Sequence, residues 1–470
     1  MAIVSGLSPG GDVGGEEDLM TDDVVLEGHP EFPCPSEVAI STLGPCRHPS
    51  PIALHGGDFI DDANRVLLCA DTFGLEPFVG SGREMPTFEP AGPRPEIFFE
   101  PARLNCGIVT CGGLCPGLNN VVRSIVLRLT YAYGVHRIFG FRYGYSGLAS
   151  DGQEPLSLTP ELVEYLNQHG GSLLGSSRGP QELSEMVDTL VRLQVGVLFV
   201  IGGDGGLQGA SALCGELARR GLSISIIGVP KTIDNDLGWT WRSFGFDTAV
   251  DAATSVILAA HNEARAAWDG IGLVKLMGRH SGFIAAHATL ASSDVNFCLV
   301  PEVPFTLGGN GGFLQELERR LDQKHHAVIV VAEGAGQDLI PDSGGPQKDA
   351  SGNVRLKDIG IFLRDQIGAY FAGRNREVPI RYIDPSYTIR SLPANSFDAQ
   401  LCLVLGQHAV HAGMAGRTDM LVGVWNQRYT HVPIALAVKK RRQLDPRGET
   451  WHRVLEVTGQ PPSIVGQPGS

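Results

Sequence analysis

Short apolar or β-branched runs alternate with stretches of helical pattern along most of this chain, and this alternation constrains its fold strongly. From about residue 104, runs such as CGIVT, RIFGFR, VGVLFVIGG and SISIIGV precede helical patterns, of which TPELVEYLNQHG is one. Such alternation is typical of parallel strands joined by helices. Two successive blocks, residues 101–248 and 249–440, therefore predict an α/β fold of two Rossmann-like lobes with mostly parallel sheets.

The segments that flank these blocks have a different composition. Residues 1–100 are rich in glycine, proline and acidic residues, and we expect an N-terminal extension that is partly disordered, at least over its first ~30 residues. Residues 441–470 are polar and rich in proline, and we expect a C-terminal tail. An exchange of segments between the two lobes is compatible with this division. Because ligands bind at the carboxyl ends of parallel strands, we expect the active site in the cleft between the lobes.

Composition excludes several classes of function. The formal net charge of -14 argues against nucleic acid as the main partner, because binding to a phosphate backbone requires a basic surface. No apolar run approaches the ~20 residues that a membrane-spanning helix needs. The nine cysteines lack the spacing of a zinc site, and the acidic N-terminus resembles no targeting signal. We therefore expect a cytoplasmic protein that does not bind membranes.

Two glycine-rich turns follow predicted strands and precede predicted helices. In IGGDGG, the glycines would let a phosphate approach the main chain closely, but Asp204 would repel it unless a divalent cation lay between them. In TCGGLCPGLN, bare N–H groups near Gly112 would suit an anion at a helix N-terminus. The alternatives are an N-cap role for Asp204 and a plain tight turn at Gly112.

Acidic and basic side chains occupy other strand ends. In PKTIDND, Asp234 and Asp236 could divide the work of a general base and of shaping a metal field, or could belong to a solvated acidic turn. The arginines Arg178, Arg279 and Arg390 also lie on loops at predicted strand ends. A lone arginine is more often a surface residue, but several together favour a multiply charged phosphate substrate.

Other nucleotide and hydrolase motifs are missing. The sequence has no P-loop, no His-Glu-x-x-His and no Gly-x-Ser-x-Gly segment. The glycine spacing at residues 203–209 is loosely similar to a dinucleotide-binding loop. However, the following strand ends in Pro230 and Lys231 instead of an acidic ribose ligand, which argues against a dehydrogenase.

In this order, the motifs CGGLCPGLN, LLGSSRG, IGGDGG, PKTIDND, SFGFDTA, KLMGRHSG, VPEVPF and VAEGAGQDL resemble the phosphofructokinase family over about residues 90–435. With YIDPSYTIRS, they are most similar to its plant-type ATP-dependent branch. The resemblance implies Mg²⁺-assisted phosphoryl transfer from ATP to the 1-hydroxyl of fructose 6-phosphate, giving fructose 1,6-bisphosphate and ADP. It also implies an allosteric glycolytic enzyme that forms a homo-oligomer, either a dimer or a tetramer.

The resemblance also implies roles for individual residues. Catalytic roles fall to Asp234, the proton acceptor, and to Arg279, Thr232 and Asp236. ATP contacts fall to Gly112, Arg178, Gly179, Gly203, Asp204, Gly205 and Gly206, with Asp204 as the Mg²⁺ carboxylate. Sugar-phosphate contacts fall to Thr232, Ile233, Asp234, Met277, Gly278, Arg279, Glu333, Arg381, Tyr387, Thr388, Ile389 and Arg390. Arg381 corresponds to an arginine that the family often supplies from a neighbouring subunit.

Two positions bear on the phosphoryl donor. The pyrophosphate-dependent branch carries a second aspartate at the position of Gly205, where a carboxylate would collide with and repel an α-phosphate. Gly205 leaves this space open and favours ATP. However, the pyrophosphate branch also has a lysine at the position of Lys231. Pyrophosphate as donor and a non-catalytic regulatory subunit of the same fold remain alternatives.

Overall fold

The computed structural model describes residues 32–52, 58–177, 179–341 and 354–467. Its strands are β1 (Ser41–Thr42), β2 (His48–Pro49), β3 (Val66–Leu67), β4 (Thr87–Pro90), β5 (Glu96–Ile97), β6 (Asn105–Thr110), β7 (Arg137–Phe141), β8 (Leu156–Ser157), β9 (Val195–Gly202), β10 (Ser225–Pro230), β11 (Gly270–Leu276), β12 (Phe297–Leu299), β13 (His326–Ala332), β14 (Ile380–Ile383), β15 (Arg417–Thr418), β16 (Met420–Trp425) and β17 (Arg428–Pro433). Its α-helices are α1 (Pro35–Val38), α2 (Thr72–Leu75), α3 (Leu118–Arg128), α4 (Leu183–Arg192), α5 (Asp204–Arg219), α6 (Phe246–Arg265), α7 (Phe283–Ser292), α8 (Phe313–Lys324), α9 (Ile359–Ala372), α10 (Ser386–Arg390), α11 (Ser396–Met414), α12 (Ile434–Lys439) and α13 (Glu449–Thr458).

The larger sheet has nine strands in the order β3-β4-β17-β16-β10-β9-β6-β7-β8. Its central strands β16, β10, β9, β6 and β7 run parallel, and antiparallel strands complete both edges. The smaller sheet, β12-β13-β11-β14, is parallel throughout. The prediction of an α/β fold with mostly parallel sheets is therefore confirmed.

Burial explains why the central parallel strands have continuous apolar sequences. Every residue of β6, β10 and β11 is buried, and so are seven of the eight residues of β9. Strands that are covered on both faces by helices need no polar alternation. Four apolar clusters fill the interior, two along the larger sheet and two along the smaller one.

The segment after β7 differs from its predicted helix. TPELVEYLNQHG forms turns and a short 3-10 helix over Leu166–Gln168. The chain reverses at β8, which pairs antiparallel with β7. The amide of Asn119 on α3 then donates to the His169 carbonyl at 2.9 Å. These contacts hold the segment as a compact loop instead of a regular helix.

The described part of the N-terminal extension is integrated into the larger sheet. Strand β4 pairs with β17, and Phe88 on β4 is fully buried. Arg94, only 3% exposed, binds Asp62 and Glu89, each at 2.7 Å. Glu89 also accepts from Arg417 at 2.9 Å. This cluster ties the extension to the strand that follows α11.

We expect Arg94→Met to lower the free energy of unfolding by ~3 kcal/mol, because it breaks a buried ion pair. It also leaves the Gly92 carbonyl without its 2.8 Å donor. Guanidinium unfolding would measure the change. Arg103→Met is the matched control, since Arg103 is 84% exposed and should change stability by less than ~0.5 kcal/mol. Equal stability of the two variants would contradict the role of the cluster.

The C-terminal segment is also part of the folded body. Trp451 and Val454 on α13 are buried in the same apolar cluster as α7. Ile464 forms an isolated bridge with Phe305. Strands β16 and β17 return to the larger sheet after the chain has built the smaller one. Segments therefore cross between the two sheets.

In the described ranges, no helix is long and apolar enough to cross a membrane.

Candidate active site

The first wall of the site is formed by loops at the carboxyl ends of β6, β9 and β10. The Lys231 ammonium donates to the Gly113 carbonyl at 2.9 Å, and the Lys231 N–H donates to the Gly202 carbonyl at 2.9 Å. A Cβ on Gly203 would lie 2.9 Å from the Lys231 carbonyl. A side chain at Gly203 would therefore collide with the backbone of Lys231.

The segment that contains Gly179 lies against Gly112. The Gly112 N–H donates to the Ser177 carbonyl at 3.4 Å, and the Ser176 hydroxyl donates to the Gly112 carbonyl. Gly112 has φ +84° and Gly179 has φ +105°, which favour glycine. Arg178, which we predicted to contact ATP, lies outside the described residues. The structure thus brings together two of the loops that we predicted to contact phosphate.

Asp204 is the first residue of α5, and its side chain is 25% exposed. Gly203 is the N-cap, so the alternative N-cap role for Asp204 is wrong. One carboxylate oxygen accepts from Gln208 at 2.7 Å, and the other pairs with Arg441 at 2.7 Å. Asp204 is therefore held by two side chains that the sequence analysis did not connect to it.

The donor set at Asp204 fits magnesium that is shared with phosphate. Among the described residues, no cluster of three or more histidine, cysteine or acidic side chains could hold a metal alone. Mg²⁺ commonly uses one or two carboxylates and completes its coordination with phosphate oxygens and water. A Cβ on Gly205 would have no neighbour within 4 Å, so space for such a ligand adjoins Asp204.

Asp234 follows β10, and its Oδ1 is buried without a hydrogen-bond partner in the described structure. Burial, and then the charges of Asp236 and Glu333, raise the pKa of Asp234 from 3.8 to about 7. The Arg279 N–H and the charge of Arg390 act in the opposite direction. Asp234 is therefore a carboxylate whose proton affinity suits a general base near neutral pH.

Hydrogen bonds fix the loop that carries Asp234. The Thr232 hydroxyl donates to Asp236 at 2.6 Å, and the Ser243 hydroxyl donates to the Thr232 carbonyl at 2.5 Å. Asn235 has φ +55°, and its side-chain oxygen accepts from the Ser243 N–H at 2.9 Å. Asn235 stabilises the turn, a positioning role that we did not predict from the sequence. Ile233, next to Asp234, is partly buried.

The second wall is formed by loops at the carboxyl ends of β11 and β13. Gly278 has φ +126°, and a Cβ there would lie 2.5 Å from the Ser281 carbonyl. The Gly334 N–H donates to the Gly278 carbonyl at 2.9 Å, which sets Glu333 beside the segment of Met277 and Arg279. The Ser281 hydroxyl donates to the Asp234 carbonyl at 3.2 Å. This bond joins the two walls.

The short helix α10 contributes a third group of predicted residues. The Arg390 Nε donates to the Met277 sulfur at 3.4 Å, and the buried Ile389 anchors the helix. Tyr387 is 82% exposed, and Thr388 is also exposed. Arg390 therefore joins the second wall, whereas Tyr387 and Thr388 lie on the molecular surface.

Arg381 is not brought to this group. It lies on β14 and pairs with Glu263 at 3.5 Å, and both side chains are more than half exposed. This surface location differs from that of the other predicted sugar-phosphate residues.

The C-terminal segment supplies residues that we did not predict from the sequence. The Arg442 N–H donates to the Asp236 carbonyl at 2.8 Å, and Gln443 donates to the His280 carbonyl at 3.1 Å. The only sequence signal was the basic run at residues 439–442, which overlaps the start of the predicted C-terminal tail, residues 441–470. Its contacts depend on tertiary structure that periodicity does not reveal.

Known proteins resemble this chain over most of its length. A model of the phosphofructokinase family matches residues 105–413. An ATP-dependent 6-phosphofructokinase of Amycolatopsis methanolica is 49% identical over 436 residues, which cover 90% of this chain and 95% of that protein. ATP-dependent 6-phosphofructokinase 1 of Arabidopsis thaliana is 45% identical over 397 residues, which cover 82% and 83%.

A solved structure has the same fold. The pyrophosphate-dependent phosphofructokinase from Marinobacter aquaeolei matches with a TM-score of 0.62 over 78% of this chain and 92% of that one. The sequence identity is 19%, so this likeness concerns the fold alone.

Proposed function

This chain belongs to the phosphofructokinase family, and from this premise we propose that it transfers the γ-phosphoryl group of ATP to the 1-hydroxyl of fructose 6-phosphate. The products are fructose 1,6-bisphosphate and ADP. The observation that carries the proposal is Asp234, whose buried Oδ1 has no hydrogen-bond partner in the described structure. It lies where the glycine-lined wall meets the wall that carries Arg279 and Glu333.

The glycine-lined wall is proposed to bind ATP. Its backbone would face the phosphates at Gly112, Gly179, Gly203, Gly205 and Gly206. Asp204 would hold Mg²⁺, which supplies charge neutralisation of the phosphate oxygens when bound. Arg178 is also expected to contact a phosphate group of ATP.

Asp234 would accept the proton of the sugar 1-hydroxyl. Thr232 and Ile233 adjoin it in the loop, and Asp236, which accepts from Thr232, keeps negative charge close to Asp234. This charge raises the proton affinity of the base. Arg279 would stabilise the charge of the transferring phosphoryl group, since arginine forms strong hydrogen bonds with phosphate.

The second wall is proposed to orient fructose 6-phosphate. Met277 and Gly278 would line the sugar, Glu333 would accept from a sugar hydroxyl, and Arg390 would bind the 6-phosphate. The remaining residues assigned to the 6-phosphate are Tyr387, Thr388, Ile389 and, from a neighbouring subunit, Arg381. The exposure of Tyr387, Thr388 and Arg381 is compatible with a subunit boundary at this edge of the site.

The donor is proposed to be ATP because the space beside Gly205 is open. Purified protein should form fructose 1,6-bisphosphate from fructose 6-phosphate and Mg·ATP, measured directly by chromatography. With pyrophosphate, we expect a rate at least ~100-fold lower, because specificity of several kcal/mol needs contacts that only one donor makes. A faster reaction with pyrophosphate would replace ATP as the donor. Ligand binding without turnover would favour the regulatory subunit.

The ionisation of Asp234 should govern the pH dependence. Its pKa of about 7 means that the carboxylate becomes protonated as pH falls below neutrality. We therefore expect kcat/KM for fructose 6-phosphate to rise up to about pH 7 and then level off. Calorimetric binding of fructose 6-phosphate at each pH would separate this effect from titration of the substrate. A flat profile between pH 6 and 8 would contradict it.

Homo-oligomerisation as a dimer or tetramer, allosteric regulation and a cytoplasmic location remain predictions. Sedimentation of the purified protein would determine the oligomeric state, and fractionation of the native host would determine the compartment.

A further inference from the structure

Residues 440–444, here called the crossing segment, connect the two walls of the site. The Arg442 N–H donates to the Asp236 carbonyl on the first wall at 2.8 Å. The Leu444 N–H donates to Glu302 at 2.8 Å, and Glu302 also accepts from the Gly282 N–H on the second wall at 2.9 Å. The backbone of the crossing segment is therefore fixed on both sides of Arg441.

The guanidinium of Arg441 lies at the proposed metal carboxylate. Its Nη2 is 2.7 Å from Oδ2 of Asp204, and its side chain is 35% exposed. The other oxygen of Asp204 accepts from Gln208 at 2.7 Å. The pKa of His280 is lowered by burial and then by the charges of Arg441 and Arg279, which indicates that both guanidinium groups approach it. Arg441 thus adds positive charge at the mouth of the site.

A divalent cation bound to Oδ2 of Asp204 would compete with Arg441 for that oxygen. A cation there would lie within a few ångströms of the guanidinium and repel it. The ion pair is partly exposed and is therefore weak, so its release costs little. The phosphate groups that share the metal would then be the nearest anions, and guanidinium binds phosphate with strong, charge-assisted hydrogen bonds.

We propose that Arg441 is a further nucleotide-binding residue that exchanges partners. It pairs with Asp204 in the ligand-free protein, and it donates to the polyphosphate when a magnesium nucleotide binds. Because the backbone of the crossing segment is fixed on both sides, the exchange would be a movement of the Arg441 side chain. The inference deepens the proposed function and rests on it.

Calorimetric titration with Mg·ADP tests the proposal without turnover. We expect Arg441→Ala to weaken Mg·ADP binding at least ~10-fold, since one charge-assisted bond to phosphate is lost. Arg441→Lys should keep part of the affinity because it retains the charge. Arg447→Ala is the matched control: it removes one exposed positive charge from the same part of the chain, and we expect less than a ~2-fold change.

A second titration uses ADP without metal, in the presence of EDTA. Asp204→Asn should strengthen this binding, because it removes a negative charge and releases Arg441. The double variant Asp204→Asn/Arg441→Ala should lose the part of the gain that comes from Arg441. A general loss of structure cannot explain stronger binding by Asp204→Asn. The difference between this variant and the double variant therefore reports the contribution of Arg441.

The outcomes separate the two levels of inference. Unchanged Mg·ADP affinity in Arg441→Ala would overturn the exchange and leave Arg441 as a structural partner of Asp204. Tighter binding would also overturn it and would identify Arg441 as an inhibitory counter-ion. Wild-type protein that binds neither Mg·ADP nor Mg·ATP would instead overturn the proposed function.

Discussion

Asp234→Asn is expected to lower kcat by ~10²–10⁴-fold, the usual contribution of a general base. The amide keeps the shape of the side chain but cannot accept the hydroxyl proton. Fructose 6-phosphate affinity should change little, because the amide still fills the same space and other proposed binding groups, such as Arg390 and Glu333, are unchanged. A coupled assay gives kcat, and calorimetry gives the affinity. Near-normal turnover would remove the assignment of Asp234 as the base.

The stability of the same variant provides an internal control. Burial and the neighbouring carboxylates raise the pKa of Asp234 from 3.8 to about 7 in the folded protein. Above pH 7 the charged group therefore destabilises the folded state, and this penalty disappears as pH falls towards 4. We expect Asp234→Asn to be more stable than the wild type by ~1–3 kcal/mol at pH 8. Asp251→Asn, on the exposed side of α6, should change neither stability nor turnover.

Gly205→Asp is expected to lower kcat/KM for ATP by ~10²–10³-fold, since juxtaposed like charges cost several kcal/mol. The fold should tolerate the substitution, because a Cβ at Gly205 would meet nothing within 4 Å. An acidic residue in the first turn of α5 also interacts favourably with the helix dipole. Steady-state kinetics with ATP and with pyrophosphate would show whether the loss is confined to ATP.

Two controls separate the causes of this loss. Gly205→Asn adds a side chain of similar size without charge, so the difference between the two variants reports repulsion. Gly215→Asp places the same side chain on the same helix, at another exposed glycine with open space around it. We expect Gly215→Asp to leave ATP kinetics unchanged. Unimpaired ATP kinetics in Gly205→Asp would defeat the account of donor choice.

Much of the site could be predicted because it depends on local sequence. Apolar runs such as VGVLFVIGG are buried parallel strands, and the glycine and aspartate residues that follow them lie at the strand ends. In a parallel sheet these ends meet at one edge, and β9 and β10, the strands that precede Asp204 and Asp234, are neighbours.

The remaining features depend on contacts between distant parts of the chain. Arg441 meets Asp204 across 237 positions of sequence, and no periodicity predicts such a pair. The segment TPELVEYLNQHG has helical spacing, but tertiary contacts with Asn119 override that preference. The local sequence also does not identify the larger sheet as the one that β16 and β17 join.

The strand order of the larger sheet affects how the chain folds during its synthesis on the ribosome. Strand β10 pairs with β16, which is synthesised almost two hundred residues later. Until then, β10 is an outer strand whose backbone groups are open to pairing with another chain. The smaller sheet is complete once β14 has emerged, so the sheet encoded second is finished first. In the nascent chain, the open edge of β10 is therefore a site where aggregation can begin.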